Sequence, residues 1–286
     1  MNAKEFLSEV LGSNICPDNF IEMYNEFCTY QNAALKTLQE FHRICENNHI
    51  PYQLAFGSLL GVIRDGGQIP WDYDVDVLVP YAYKSLLVKA LQSDLNKDFY
   101  FYCPENNRKC RHVIMRLAPK GYRTEALHVD VFYYIGTPNN TEKRKEFASR
   151  VKDISYARFF KLVKPREESV GNFRSMLGLY KAKIPLAFKS LNKIEFEYEQ
   201  LCSEFPLEKS DIFIEADTFS DWYEFPKTYL ENTELVATEM GEFRVSSNYH
   251  ELLSIIYNDY RSVPPLEKRI AEVEHNLKRL RFFSKL

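Results

Sequence analysis

The chain has 286 residues, and its 37 Lys and Arg against 40 Asp and Glu leave a net charge of −3, which gives no global preference for nucleic acid or membrane. Its 45% hydrophobic and 27% charged content is ordinary for a soluble globular protein, long enough for one large domain. Six scattered cysteines without a C-x-x-C pair exclude a zinc ribbon and a dense disulfide framework. The start, Met1 to Glu5, carries no basic and apolar leader, and no apolar run nears the roughly 20 residues that span a bilayer. A reducing cytoplasm is therefore the expected compartment.

In chain order, apolar residues at three- and four-residue spacings predict a long amphipathic helix over 18–47. Tyr52 to Phe56 reads as a strand, followed by a turn at Gly57-Ser58. Such a turn between strand and helix exposes backbone N–H groups to an anion, and the Ser58 hydroxyl adds a donor. Arg64 follows within two turns as a forked donor for the same phosphate. Asp72, Asp74 and Asp76 then stand at a spacing of two, ahead of and inside the apolar run Val75 to Val79. Side chains alternate along a strand, so Asp74 and Asp76 share a face, about 7 Å apart at their Cα atoms. Carboxylates crowded on a buried strand repel unless a cation lies between them, and oxygen ligands suit Mg²⁺ or Mn²⁺. An EF-hand loop is rejected, because Val77 and Tyr83 stand where Gly and Glu are needed. A lone D-x-D is also compatible with a solvated acidic turn; the combination with Gly-Ser and Arg64 favours phosphoryl or nucleotidyl transfer.

Further on, a helix is expected from Pro80 to about Leu95 with Leu86, Leu87, Ala90 and Leu91 buried, then strands at 99–102, 113–117 and 127–134. Asp130 lies inside the last of these as a carboxylate with no partner in view, a costly burial unless a cation or a proton compensates it. An edge-strand position facing water is the alternative. His128 would share its face and reach substrate. From Arg158 to Lys193, nine basic residues against two acidic ones interleave with apolar residues. This stretch is either a helical insertion with its apolar side on the core or a basic amphipathic surface for an anionic membrane or acceptor. Two short strand-like segments near 212–214 and 239–245 precede a helix around 249–257 and a charged terminal helix over 267–286.

Gly57 to Arg64 (G-S-L-L-G-V-I-R), followed by Ile69-Pro70-Trp71-Asp72-Tyr73-Asp74-Val75-Asp76-Val77, resembles the signature of the LicD and fukutin-related transferases, which have the nucleotidyltransferase fold. Ser58 replaces the usual Thr and Val62-Ile63 the usual Ala-Val. The resemblance covers roughly residues 30–270, with Asn258 where the family has Gly. It implies an α+β, nucleotidyltransferase-like mixed sheet flanked by helices, one domain over 1–286, its core about 30–140 and 211–270 and a helical basic insertion about 141–194. It also implies Asp130 as a third carboxylate of the site. The implied reaction is Mg²⁺- or Mn²⁺-dependent transfer of a phospho-alcohol, phosphocholine above all, from a CDP-linked donor to a glycan or lipid-linked glycan hydroxyl. In that reaction Asp74, Asp76 and Asp130 hold metal, and Asp130 takes the acceptor proton. Gly57, Ser58 and Arg64 bind phosphate, Asp72 ligates or fixes the loop, and His128 contacts substrate. Tyr73, Tyr133, Tyr134 and Trp222 are candidate walls for a quaternary ammonium. No nucleic-acid partner is expected, and 158–193 could touch membrane peripherally. Three other readings stay open: nucleotidyl transfer from NTP with release of pyrophosphate, a D-x-D glycosyltransferase, and a non-catalytic binding subunit.

Overall fold

In the computed structural model, residues 1–169, 172–239 and 241–284 are described. Val170 and Gly171 of the expected insertion, Met240 of the expected late strand, and residues 285–286 of the terminal helix lie outside them. The helices are α1 (Ala3–Leu11), α2 (Phe20–Asn47), α3 (Phe56–Leu60), α4 (Lys84–Asp94), α5 (Thr141–Leu162), α6 (Pro165–Glu168), α7 (Phe173–Lys183), α8 (Leu191–Glu204), α9 (Lys227–Glu231), α10 (Tyr249–Tyr257) and α11 (Leu266–Ser284). The strands are β1 (Gln53–Leu54), β2 (Val75–Pro80), β3 (Phe99–Tyr102), β4 (Met115–Pro119), β5 (Val129–Gly136), β6 (Ile212–Glu215), β7 (Phe225–Pro226), β8 (Thr233–Thr238) and β9 (Gly241–Ser246). The architecture is α+β, with a mixed sheet ordered β1-β2-β5-β4-β3.

β5 organises the sheet. It runs parallel to β2 along 129–134, and its other edge is shared antiparallel by β4 over its first half and β6 over its second. Its alternation explains this central place. Val129, Val131, Tyr133 and Ile135 are all buried on one side, and Asp130, Phe132 and Tyr134 point to the other. The register carries that second face across the sheet, pairing Asp76 with Asp130, Arg116 with Asp130, and Glu215 with Tyr134. A charged face thus runs over four strands. α2 crosses β2, β4 and β5 and buries Phe27, Ala34, Leu38, Phe41 and Ile44 along one stripe.

Several boundaries move. The strand expected over 52–56 shrinks to two residues, because the chain turns into α3 at Phe56, whose φ is +44°. The strands expected at 113–117 and 127–134 both start two residues later, where β4 begins to pair with β5 and β5 with β2. α4 begins after a 3₁₀ turn, and this phase buries Val88 and leaves Leu86 42% exposed. Asn258 ends α10 at φ +55° and ψ −96°, outside the left-handed helical region, so the αL tolerance of Asn does not account for its place here. Among the described residues, no helix is long and apolar enough to cross a membrane, and all six cysteines are free thiols.

Candidate functional site

The three aspartates ahead of and inside β2 divide into different tasks. Asp72 Oδ1 accepts the backbone N–H groups of Tyr73 at 2.8 Å and Asp74 at 3.2 Å, which fixes the loop that feeds the strand. Burial, then the neighbouring Asp74, raise its carboxyl to about 7 against the pull of those two bonds. Asp74 is exposed at the rim of the face, and Asp76 sits one rung deeper, level with Asp130. Asp76 is raised far above the ordinary carboxylate range, first by burial, with the charges of Asp130, Asp74 and Asp72 adding to it.

Ser58 and Gly57 lie in the first turn of α3 rather than in an open turn. Ser58 Oγ accepts the backbone N–H of Asp76 at 2.9 Å, so the hydroxyl sets the strand that carries the carboxylates and keeps its own proton free to donate. A Cβ at Gly57 would stand 3.2 Å from Asp72 Oδ2, and one at Gly61 only 2.5 Å from the Gly67 carbonyl oxygen. These glycines let the helix lie directly against the loop before β2. Gly61 also opens a π-helical turn, Gly61–Asp65, a form frequent at functional sites.

Asp130 is not without partners. Arg116 Nε lies 2.8 Å from its Oδ1 and His128 Nε2 3.1 Å from its Oδ2. Burial would raise Asp130, but His128 and Arg116 overcome it and hold the carboxyl well below the ordinary range. A carboxylate so strongly held in its charged form is a weak proton acceptor. The general-base role expected for Asp130 is not favoured by this geometry. His128 does reach the same face, with its Nδ1 buried and unbonded among the described residues.

Arg64 departs from expectation too. Its guanidinium is paired with Asp65 at 2.8 and 3.0 Å and lies 5.6 Å from the centre of the Trp71 ring. It braces the π turn instead of facing the carboxylates. Of the expected aromatic walls, Tyr73 and Tyr133 are buried in the core, Tyr134 stacks on Phe213 at 5.3 Å, and Trp222 is 64% exposed against Phe219.

The sheet adds two carboxylates that the sequence reading passed over. Glu215 shares the face of Asp130 through its register with Tyr134, and both its oxygens are buried and unbonded among the described residues. Burial raises its carboxyl far above normal, with Asp217 and Asp76 adding to the effect. Asp217, just past β6, is raised to about 7 by burial, opposed by the Phe219 N–H and aided by Asp130. The signal was present: I-F-I-E-A-D repeats the spacing of two that marks Asp74 and Asp76.

Among the described residues, no group of three or more His, Cys, Asp or Glu side chains is arranged to hold a metal ion by itself. The expected three-carboxylate shell is not assembled, because Arg116 and His128 occupy both oxygens of Asp130. The donor set nevertheless fits a divalent cation. Asp74, Asp76 and the orphaned Glu215 crowd negative charge that His128, Arg279 and Arg116 offset only in part, and Mg²⁺ commonly takes one or two protein carboxylates, completing its shell with water and phosphate.

Comparison with known proteins agrees with this geography. The family model described as "LicD/FKTN/FKRP, nucleotidyltransferase domain" matches residues 49–168, which include α3, β2, β4 and β5. The lipopolysaccharide cholinephosphotransferase LicD of Haemophilus influenzae is 25% identical over 248 residues, covering 83% of this chain and 92% of the relative. The carboxylate strands thus lie within the stretch that is similar to the LicD/FKTN/FKRP nucleotidyltransferase domain, and most of the chain is similar to a lipopolysaccharide cholinephosphotransferase.

Proposed function

We propose that this phosphotransferase moves a phospho-alcohol group, phosphocholine foremost, from a CDP-activated donor to a hydroxyl of a cell-surface glycan or its precursor, releasing CMP. The observation that carries the reading is the level placement of Asp76 and Asp130 on adjacent parallel strands, with Asp74 at the rim and Glu215 unpaired beside them. The relative's name, a lipopolysaccharide cholinephosphotransferase, supports the cargo and the class of acceptor. Phosphoryl transfer asks little covalent chemistry of a protein; it needs positioning and charge neutralisation. Asp74 and Asp76 would hold Mg²⁺ or Mn²⁺, and the ion would neutralise the donor diphosphate. Asp72 and Ser58 hold the carboxylate strand in place, and Arg116 and His128 keep Asp130 charged and oriented.

The test is incubation with Mg²⁺ and CDP-choline beside EDTA and Asp74→Ala controls, reading both CMP and pyrophosphate. Metal-dependent CMP release that is lost in the variant is the expected result. Pyrophosphate formation from an NTP, with no CMP from any CDP-alcohol, would move the assignment to nucleotidyl transfer.

We further propose that the basic stretch 158–193 meets an anionic membrane surface where lipid-linked acceptors lie. In support, α7 buries no residue, and Phe173, Leu177, Tyr180, Ile184 and Phe188 are 42–102% exposed beside Arg174, Lys181 and Lys183. An apolar face on the core, the other expectation for this stretch, is not what α7 presents.

A further inference from the structure

A cavity of about 230 Å³ opens beside Asp130, and Asp217, Ser155 and the rings of Phe132, Phe159 and Phe219 line it. Pockets that enclose a drug-sized ligand run to roughly 300–1,000 Å³, so this one suits a fragment of a substrate and not a whole nucleotide. Two of its polar groups, Asp217 and Ser155, want a donor or a cation. Asp217 is 4% exposed, takes one N–H from Phe219 at 2.7 Å, and is joined to no Lys, Arg or His among the described residues. Ser155 Oγ, on the buried side of α5, has no partner among them either.

The positive groups in the wall are already engaged. Arg116 is bound to Asp130, and Arg111 is bound to Glu168 while its guanidinium lies 5.4 Å from the centre of the Phe159 ring. His112 is pushed down to about 3 by burial, then by Arg116 and Arg111, and is therefore a neutral imidazole. What remains is an unpaired buried carboxylate beside the Phe132 and Phe219 rings, with Phe159 already turned to Arg111, surroundings that favour an organic cation. A comparable cavity lined by Lys84, Glu105, Arg158 and Glu195 lacks this feature, since Lys84 pairs with Glu105 and Arg158 with Glu195.

We infer that the cavity between Asp130 and Asp217 seats a small alkylammonium headgroup, with Asp217 as its counter-charge and Phe132, Phe159 and Phe219 as its walls. The inference rests on the proposed transfer of a phospho-alcohol and names the part of the chain that selects the alcohol. The headgroup is joined to the transferred phosphate through two carbons, so its seat has to adjoin the carboxylates that govern that phosphate. Asp130 belongs to both. Choline and ethanolamine share the cationic chemistry; Ser155 Oγ and the free oxygen of Asp217 can accept N–H donors from the primary ammonium only.

The test is direct binding by calorimetry to the full chain at neutral pH, without turnover. The probes are choline, ethanolamine and 3,3-dimethylbutan-1-ol, the neutral carbon isostere of choline. The wild type is expected to bind one of the two ammonium alcohols at least about tenfold more tightly than the neutral isostere, a difference of about 1.4 kcal/mol. Asp217→Asn is expected to erase that preference while leaving binding of the isostere unchanged. Phe219→Leu, at a position 37% exposed and safe for folding, is expected to weaken choline severalfold. Equal binding of cation and isostere by the wild type, an undiminished preference in Asp217→Asn, or displacement of choline by inorganic phosphate would each overturn the inference. Because no turnover is measured, Asp217-dependent choline binding without CMP release would reject only the proposed reaction. CMP release with cation preference unaltered in Asp217→Asn would reject only this seat.

Discussion

Ser58 Oγ accepts the backbone N–H of Asp76 at 2.9 Å, a bond across 18 residues that ties the start of α3 to the strand bearing the carboxylates. Ser58→Ala leaves that partly buried N–H unpaired, at a cost of about 1–3 kcal/mol. It also lets Asp76 drift, and small displacements of positioned groups cost catalysis heavily. Thermal unfolding is expected to drop by several degrees and CMP release by roughly tenfold or more. Ser58→Thr keeps the oxygen and is expected to retain most of both. Wild-type stability and rate in the alanine variant would show that the bond has no part in holding the site.

How much of this site the sequence disclosed depends on the range of the signals. The D-x-D-x-D alternation and the β-branched run around it are local; the strand they predict is β2, which carries Asp76, with Asp74 just ahead of it. The α+β class and the long helix α2 were readable for the same reason. Partners across the sheet were not, since Arg116 reaches Asp130 only through the antiparallel register of β4 with β5. Glu215 was missed because its significance lies in β6 pairing with the second half of β5. The pairing of Arg64 with the adjacent Asp65 was not foreseen, because spacing alone does not say which carboxylate a guanidinium turns to.

Crowded carboxylates predict a metal response that can be read without substrate. Mg²⁺ or Mn²⁺ binding to the folded state only raises stability by about 2.7 kcal/mol at one hundred times its dissociation constant. The wild type is expected to melt several degrees higher with saturating Mn²⁺ than with EDTA. Asp76→Asn is expected to be more stable than wild type in EDTA, since a repelling charge is removed, and to gain little from Mn²⁺. Glu215→Gln should show the same pattern, more weakly if Glu215 only borders the ion. A variant that gains as much from Mn²⁺ as the wild type would remove its carboxylate from the metal site.

The same crowding sets a pH dependence whose sign is opposite to that of ordinary acid denaturation. Asp72 and Asp217 are raised from the reference 3.8 to about 7 in the fold, each first by burial. The native state therefore binds more protons than the unfolded chain between those values, and stability falls as pH rises through the interval. Metal-free protein is expected to melt higher near pH 5 than near pH 8. Asp217→Asn should flatten part of that slope and stabilise the protein at pH 8 by about 1 kcal/mol or more, because a tenfold change in proton affinity on folding is worth about 1.4 kcal/mol. Asp130 does not alter this window, because its carboxyl is held low and titrates only in stronger acid. A melting temperature that climbs from pH 5 to 8 in EDTA would contradict the assignment of these groups.

The surface of α7 and the residues after it supplies a prediction about partners. Ile184 is 69% exposed and Phe188 fully so, next to Lys181 and Lys183 in the last turn of α7. Lys183 donates its ammonium to the Lys161 and Val163 carbonyls, which turns that charge onto the chain itself. Burying a large apolar side chain in the interfacial layer yields about 1.5–3 kcal/mol each, and a nearby cation adds about 1 kcal/mol on an anionic surface. The protein is therefore expected to float with phosphatidylglycerol vesicles at low salt, and much less with phosphatidylcholine alone. Replacing both Ile184 and Phe188 with Glu reverses both contributions and is expected to abolish flotation without lowering the melting temperature, since neither side chain is buried. Release from the vesicles by salt in the wild type, with the double variant behaving identically, would leave the attraction to charge alone and exclude insertion of the apolar face. No flotation of the wild type would show that this exposed stretch serves something other than an anionic membrane surface.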